Sequence, residues 1–233
     1  MNQLILASTS TLHGGSPLEY LESELKFLFN NSDEILFIPY ARPGGISYED
    51  YTKIIAKAFQ KIGKTVKGIH EFDDTNTAIK QAKGIYVGGG NTFVLVNQLY
   101  KNNSFEILKE VIHNGIPYLG TSAGSNIAGL TMQTTNDMPI VYPPSFKTLG
   151  AVPFNINPHY LDPDENSTFM GETRETRIHE FHAFNDEPVI GLREGSWLSI
   201  QGEEIKLKGN LQARIFEAGK SAYEIIPNTS INL

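Results

Sequence analysis

The chain has 233 residues, 40% hydrophobic and 19% charged, with 19 Lys+Arg against 26 Asp+Glu and a net charge of −7. That composition excludes a disordered chain and is large enough for a core without covalent staples, while its acidic balance argues against nucleic acid as the main partner. Cysteine is absent, which rules out disulfides, a thiol nucleophile and thiolate metal ligands and fits a reducing compartment.

The N-terminal MNQLILASTS has no basic segment, and its apolar run is too short for a secretion signal. No stretch approaches the roughly 20 apolar residues of a membrane-spanning helix. A soluble, cytoplasmic protein with no membrane partner is expected.

In chain order, Leu4–Ala7 reads as a buried strand, and Pro17–Phe29 as a helix with Leu18, Leu21, Leu25 and Leu28 on one stripe. Glu34–Pro39 is a second strand and Tyr48–Ile62 a second helix. Thr65–Phe72 reads as a weaker strand, Asn76–Ala82 as a short helix and Gly84–Val87 as a strand. Thr92–Tyr100 and Phe105–His113 are helical, and Ile116–Leu119 is a fifth strand. Continuously apolar strands alternating with helices predict an open, doubly wound parallel sheet covered on both faces.

The second half changes character. Residues 136–158 are Pro-rich and irregular, and Glu172–Phe184 reads as a helix. Short β-like runs follow at Val189–Leu192, Trp197–Ile200, Glu204–Leu207, Ala213–Ala218 and Ala222–Ile226, separated by Gly and Asn turns that suggest antiparallel strands. With no linker between the halves, residues 1–233 are expected to form one domain with a β-rich C-terminal part.

Two glycine-rich segments follow predicted strands. Gly120-Thr121-Ser122-Ala123-Gly124 is Gly-x-Ser-x-Gly between a strand and a small-residue helix. Such a turn lifts a serine hydroxyl clear of the sheet and puts a helix N-terminus where an oxyanion would form. A plain serine helix cap is the competing reading. Gly88-Gly89-Gly90-Asn91 is the second segment. As a dinucleotide loop it lacks the third glycine, where Phe93 stands, and as a phosphate loop it lacks a following lysine. It also suits an oxyanion loop, with the N–H near Gly89 or Gly90 facing Ser122. Gly63-Lys64-Thr65 and His13-Gly14-Gly15 superficially resemble phosphate and esterase loops, but their flanking elements do not fit.

A serine nucleophile needs a base. Among His13, His70, His113, His159, His179 and His182, His159 follows an apolar run ended by Pro158 and so stands at a strand end. His179-Glu180-Phe181-His182 has its second histidine one residue early for a zinc helix, and no metal is expected. Asp137 and Glu194 both lie beside predicted strand ends and are alternative carboxylates to orient the imidazole.

The segments Gly120–Asn126, Gly88–Phe93, Thr134–Ile140, Ile156–His159 and Gly171–Glu175, in that chemistry and order, resemble the peptidase E family, the bacterial α-aspartyl dipeptidases among serine peptidases. The resemblance covers about residues 4–225. It implies a flavodoxin-like α/β fold akin to class I glutamine amidotransferases, a three-layer arrangement with serine in place of their cysteine. It also implies Ser122 as nucleophile, His159 as base, and Asp137 or Glu194 as third member. Gly90 and Ala123 would form the oxyanion hole through their N–H groups. Arg174 would bind the substrate aspartate, since a guanidinium pairs a carboxylate bidentately. The implied activity is hydrolysis of small peptides with N-terminal aspartate, without cofactor or metal, by a monomer or homodimer. An isoaspartyl or cyanophycin-type peptidase, an esterase and a non-catalytic small-ligand module are the alternatives. Two features depart from the family pattern: Thr121 stands where well-known members carry a bulky tryptophan, and the loop Leu161–Met170, with Asp162, Asp164 and Glu165, is expected to gate the site or touch the substrate amine.

Overall fold

The computed structural model of the protein describes residues 2–164, 168 and 170–233; Glu165 lies outside the described residues. In the first half, strands β1 (Gln3–Ala7), β2 (Glu34–Ile38), β3 (Thr65–Gly68), β4 (Ile85–Val87) and β5 (Tyr118–Thr121) are hydrogen-bonded in parallel in the order β3-β2-β4-β5-β1. Between them run α1 (Glu22–Leu28), α2 (Tyr48–Gln60), α3 (Thr75–Gln81), α4 (Thr92–Lys101) and α5 (Phe105–His113).

Strand periodicity explains the two-sided burial. Ile5, Ile35, Phe37, Tyr86 and Leu119 pack on one face with Leu25 and Leu28 of α1 and Ile55 and Phe59 of α2. Their alternate neighbours Leu4, Leu6, Leu36, Ile38 and Val87 pack on the other face with Leu95, Leu99, Leu108 and Ile112 of α4 and α5. The register Ala7↔Thr121, Val87↔Gly120 and Ile38↔Val87 aligns the C-terminal ends of four parallel strands. Open sheets of this kind hold their ligands along that edge.

The mixed α/β character and the mostly parallel sheet agree with the sequence reading. One strand is shorter than expected. β3 ends at Gly68, where the Glu71 side chain accepts the Gly68 N–H at 2.6 Å and the chain turns into one 3-10 turn at Ile69–Glu71. The later strands also differ, because they divide between two sheets. β8 (Ser196–Gln201) adds antiparallel to β1, and β9 (Glu204–Gly209) adds outside it, completing a seven-stranded sheet. β6 (Asn155–Pro158), β7 (Val189–Leu192), β10 (Ala213–Phe216) and β11 (Tyr223–Ile225) make a four-stranded sheet. Within it β6 and β7 are parallel, not antiparallel, with Pro158 opposite Leu192. That register sets the residues after Pro158 beside those after Leu192.

Candidate active site

The chain leaves β5 and turns sharply at Ser122 into α6 (Ala123–Asn126). Ser122 has φ 52° and ψ −112°, a backbone state that costs a non-glycine residue of order 1–3 kcal/mol. The fold holds it there. The Ser122 N–H donates to the Ala7 carbonyl at 3.0 Å, and its carbonyl accepts from the N–H groups of Ser125 and Asn126, both at 2.9 Å. The Ser125 hydroxyl lies against the Ala7 and Gly120 carbonyls at 2.7 and 2.8 Å, closing the elbow from below. Gly124 is required by close approach: a Cβ there would collide with the Val87 carbonyl. The helix expected after Ser122 is only four residues long, so its individual N–H groups, not an extended dipole, supply what positive potential it has.

Gly88–Gly90 curls over the same spot from β4. Gly90 has φ 145°, and a Cβ on it would collide with the Ala41 carbonyl. A Cβ on Gly89 would lie 3.0 Å from the Ser122 Cβ. Among the described residues the N–H groups of Gly89 and Gly90 have no acceptor.

His159 follows β6 with φ 53°, again a strained state for a side-chain-bearing residue. Its anchor is Ser8, the residue after β1 and fully buried. The Ser8 hydroxyl accepts the His159 N–H at 2.9 Å and donates to the Leu192 carbonyl at 2.7 Å. One hydroxyl therefore joins the ends of β1, β6 and β7. The imidazole Nε2 lies 2.9 Å from the Ser122 Oγ, and Nδ1 lies 2.6 Å from Glu194 Oε1. An ionised Glu194 only accepts, so it fixes the proton on Nδ1 and leaves Nε2 to accept from the serine hydroxyl. Glu194 sits in the turn between β7 and β8, closed by the Ser196 N–H to the Arg193 carbonyl at 3.1 Å, with Gly195 at φ 88°.

Asp137 is elsewhere. Its Oδ2 accepts from the Thr92 N–H and hydroxyl, each at 2.7 Å, and from the Thr135 hydroxyl at 2.9 Å. It thus satisfies a free N–H at the start of α4, just after the glycine loop. Next to it, Asn136 donates to the Pro158 carbonyl at 2.7 Å. The segment around Asp137 braces the glycine loop against β6 and does not reach the imidazole.

Arg174 opens α7 (Arg174–Phe181), whose start is capped by the Thr173 hydroxyl. It is half-buried in a cleft of about 550 Å³, lined also by Asn136, Leu161, Asp162 and Arg177. Burial and then the charge of Arg177 push its pKa down, and Asp137 opposes them. It has no ion-pair partner among the described residues. A guanidinium stays charged at neutral pH, so a partly desolvated one without a partner gains from an incoming carboxylate.

Sequence reasoning missed two groups. Ser8 carries no motif; its only signal is a hydroxyl directly after a buried strand. Arg193, beside Glu194, clamps the loop after His159. Its guanidinium bonds Asp162 at 2.8 and 2.5 Å, Glu224 at 2.8 and 2.9 Å and the Gln212 carbonyl at 2.7 Å. Hydrogen bonds to Arg193 hold both the Asp162 and the Glu224 carboxyl below the ordinary carboxylate range. Their folded pKa values lie below the unfolded ones, so this stabilisation is complete above about pH 4.5 and fades as pH falls through the depressed values. Arg193→Met is expected to lower stability at pH 7 by roughly 1–3 kcal/mol and to flatten the acid limb of a plot of melting temperature against pH. An unchanged acid limb would remove the clamp from the account.

Of the other histidines, His113 bonds the Lys109 carbonyl at 2.8 Å, His182 bonds the Glu187 carbonyl at 3.0 Å, and His179 and His70 face Glu175 and Glu49 at 3.7 and 4.0 Å. Among the described residues no group of three or more His, Asp or Glu side chains could hold a metal ion, and no helix is long and apolar enough to cross a membrane.

The model of peptidase family S51 matches residues 4–208. A Drosophila melanogaster protein named "Probable alpha-aspartyl dipeptidase" is 44% identical over 227 residues, covering 96% of this chain and 93% of its own. Peptidase E of Streptomyces coelicolor is 44% identical over 229 residues, covering 98% and 93%. The crystal structure of a peptidase from an acI-B1 Actinobacterium superposes with a TM-score of 0.75 at 17% identity, covering 100% of this chain and 97% of that one, a likeness of fold alone. Because the family match spans residues 4–208 and the relatives align almost end to end, the chain belongs to peptidase family S51.

Proposed function

We propose that this protein is a serine dipeptidase that hydrolyses peptides with an N-terminal aspartate. The observation that carries the reading is the line Ser122–His159–Glu194, at 2.9 and 2.6 Å. The half-buried Arg174, with no ion-pair partner among the described residues, shares its cleft with Asn136, which bonds the carbonyl of Pro158 next to His159. The names of the relatives support the same substrate class.

In the proposed mechanism His159 Nε2 takes the Ser122 proton while Oγ bonds to the carbonyl carbon of the aspartyl residue. The N–H groups of Gly90 and Ala123 stabilise the oxyanion, each such donor being worth roughly 10²–10³-fold in rate. The C–N bond breaks as His159 gives its proton to the leaving amine. Water then adds to the aspartyl ester, losing a proton to His159, and the C–O bond breaks as Oγ is reprotonated. Glu194 stabilises the imidazolium at both stages. Arg174 holds the aspartyl side chain. The flavodoxin-like, glutamine amidotransferase-like layering belongs to the same reading. Five parallel strands with helices on both faces and the serine elbow at their C-terminal edge support it. So does a single domain over residues 1–233, since β8 and β9 extend the sheet begun by β1.

The test compares Asp-Leu, Asn-Leu, Leu-Leu and β-Asp-Leu as substrates of wild type and Arg174→Met. Wild type is expected to cleave Asp-Leu selectively. Truncating one partner of a desolvated charge pair costs about 2–5 kcal/mol, so Arg174→Met should lose at least about 30-fold in kcat/KM on Asp-Leu and much less on Asn-Leu. Preference for β-Asp-Leu would keep the chemistry and change the linkage. No cleavage of any peptide by folded protein would overturn the reading in favour of a binding module.

A further inference from the structure

A second cleft, of about 360 Å³, lies on the other side of the glycine loop, lined by Ser10, Thr11, Arg42, Ile46, Tyr51 and Ile55 among others. Tyr51 and Ile55 belong to α2, which covers one sheet face, whereas Asp137, which acts on Arg174, is bonded to α4 on the opposite face. Two chains of contact tie this cleft to the catalytic cluster. Along the glycine loop, a Cβ on Gly88 would lie 2.7 Å from the Tyr51 hydroxyl and one on Gly89 3.0 Å from the Ser122 Cβ. One on Gly90 would collide with the carbonyl of Ala41, the residue before Arg42. Adjacent Cα atoms are only about 3.8 Å apart, so the cleft wall and the candidate nucleophile touch neighbouring residues of one loop. On the other flank Ser8 bonds His159, and two residues later Ser10 enters the cleft wall.

The cleft has the chemistry of an anion site. Arg42 supplies its only formal charge among the described lining residues, and no carboxylate lines it. Arg42 has no ion-pair partner among the described residues, in a chain where acids outnumber bases 26 to 19. Its guanidinium carbon stands 5.0 Å over the Tyr51 ring, which fixes its direction. Tyr51 is 95% buried and packs edge-on against Phe37, so its ring is a fixed platform for the guanidinium. The Ser10 and Thr11 hydroxyls add neutral donors, while Ile46 and Ile55 give an apolar wall.

We infer that this cleft is the subsite for the leaving residue, and that Arg42 reads its free α-carboxylate. The inference rests on the dipeptidase reading above. An Asp-Xaa substrate carries two carboxylates. With its side chain directed to Arg174, the α-carboxylate of Xaa lies on the far side of the scissile bond, at most about 3.6 Å further along the chain. A cation that pairs this carboxylate makes peptide length a recognised feature. A third residue, or an amide cap, removes the charge that Arg42 pairs. The apolar wall favours an aliphatic Xaa.

The experiment measures kcat/KM for Asp-Leu, Asp-Leu-amide and Leu-Leu with wild type, Arg42→Gln and Arg42→Lys, each checked by thermal melt. Wild type is expected to prefer the free acid to the amide by about 10-fold or more, the scale of a charge-assisted hydrogen bond at a partly exposed site. Arg42→Gln should lose about 10-fold on Asp-Leu, mainly through KM, and bring the acid-to-amide ratio within about 3. Arg42→Lys should fall between. A wild-type ratio near one, or equal losses on both substrates, overturns the inference while leaving the dipeptidase reading intact. Cleavage of Leu-Leu as fast as Asp-Leu overturns aspartate selectivity, and the acid-to-amide ratio still decides the role of Arg42. No cleavage of any peptide overturns both.

Discussion

Ser122→Ala is expected to lower kcat for Asp-Leu by roughly 10⁴-fold or more, with a melting temperature within about 2 °C of wild type. The size follows from the chemistry: without Oγ there is no acyl-enzyme, and the remaining oxyanion donors and binding groups accelerate only direct attack by water. No neighbouring hydroxyl can substitute. Ser125 is buried with its oxygen against the Ala7 and Gly120 carbonyls, and Ser8 is engaged by His159 and Leu192. The near-neutral effect on stability follows from the structure. Among the described residues the Ser122 side chain bonds only the imidazole, and the unusual φ is a cost that alanine bears as serine does. His159 stays held through its own N–H and Nδ1. Release of leucine measured on equal amounts of folded protein decides the matter; a variant within 10-fold of wild type would exclude Ser122 as the nucleophile.

Local patterns made the first half of this chain legible. Continuous apolar runs such as Leu4–Ala7 and Ile35–Ile38 must be covered on both sides, and the intervening helices carry the apolar stripes that do so. The serine elbow and the glycine loop were legible for the same reason, since each is a short segment whose glycines meet a local steric demand. What could not be read were relations set by distant pairing. Nothing in Trp197–Ile200 says that it pairs with β1 while Val189–Leu192, a few residues earlier, pairs with β6 in another sheet. The choice between Asp137 and Glu194 is of this kind. Both stand beside strand ends, and only the parallel register of Pro158 with Leu192 brings residue 194 to His159. Ser8 and Arg42 are more hidden still. Each acts through a loop contact that spacing along the chain does not reveal.

The two carboxylates can be separated by their isosteric amides. Glu194→Gln is expected to lower kcat by roughly 10²–10⁴-fold with a smaller change in KM. The loss arises because the imidazolium formed in the transition state no longer has a negative charge 2.6 Å from Nδ1, and because the amide does not enforce the required tautomer. Glu194 is half exposed, so solvent screens part of the lost charge and the effect belongs toward the lower end of that range. Asp137→Asn keeps an oxygen for the Thr92 N–H and hydroxyl, so the brace on the glycine loop is weakened rather than cut. Its expected signature is a fall in melting temperature of a few degrees, from roughly 1 kcal/mol of charge-assisted bonding, with kcat reduced less than 10-fold. Loss of the negative charge near Arg174 should appear as an altered KM for Asp-Leu, because that arginine then faces the substrate carboxylate without an internal competitor. Measuring kcat, KM and melting temperature for both variants separates the roles. A large loss of kcat at unchanged stability for Asp137→Asn, with Glu194→Gln near wild type, would transfer the orienting role to Asp137. It would also require the 134–140 segment to move toward His159 when substrate binds.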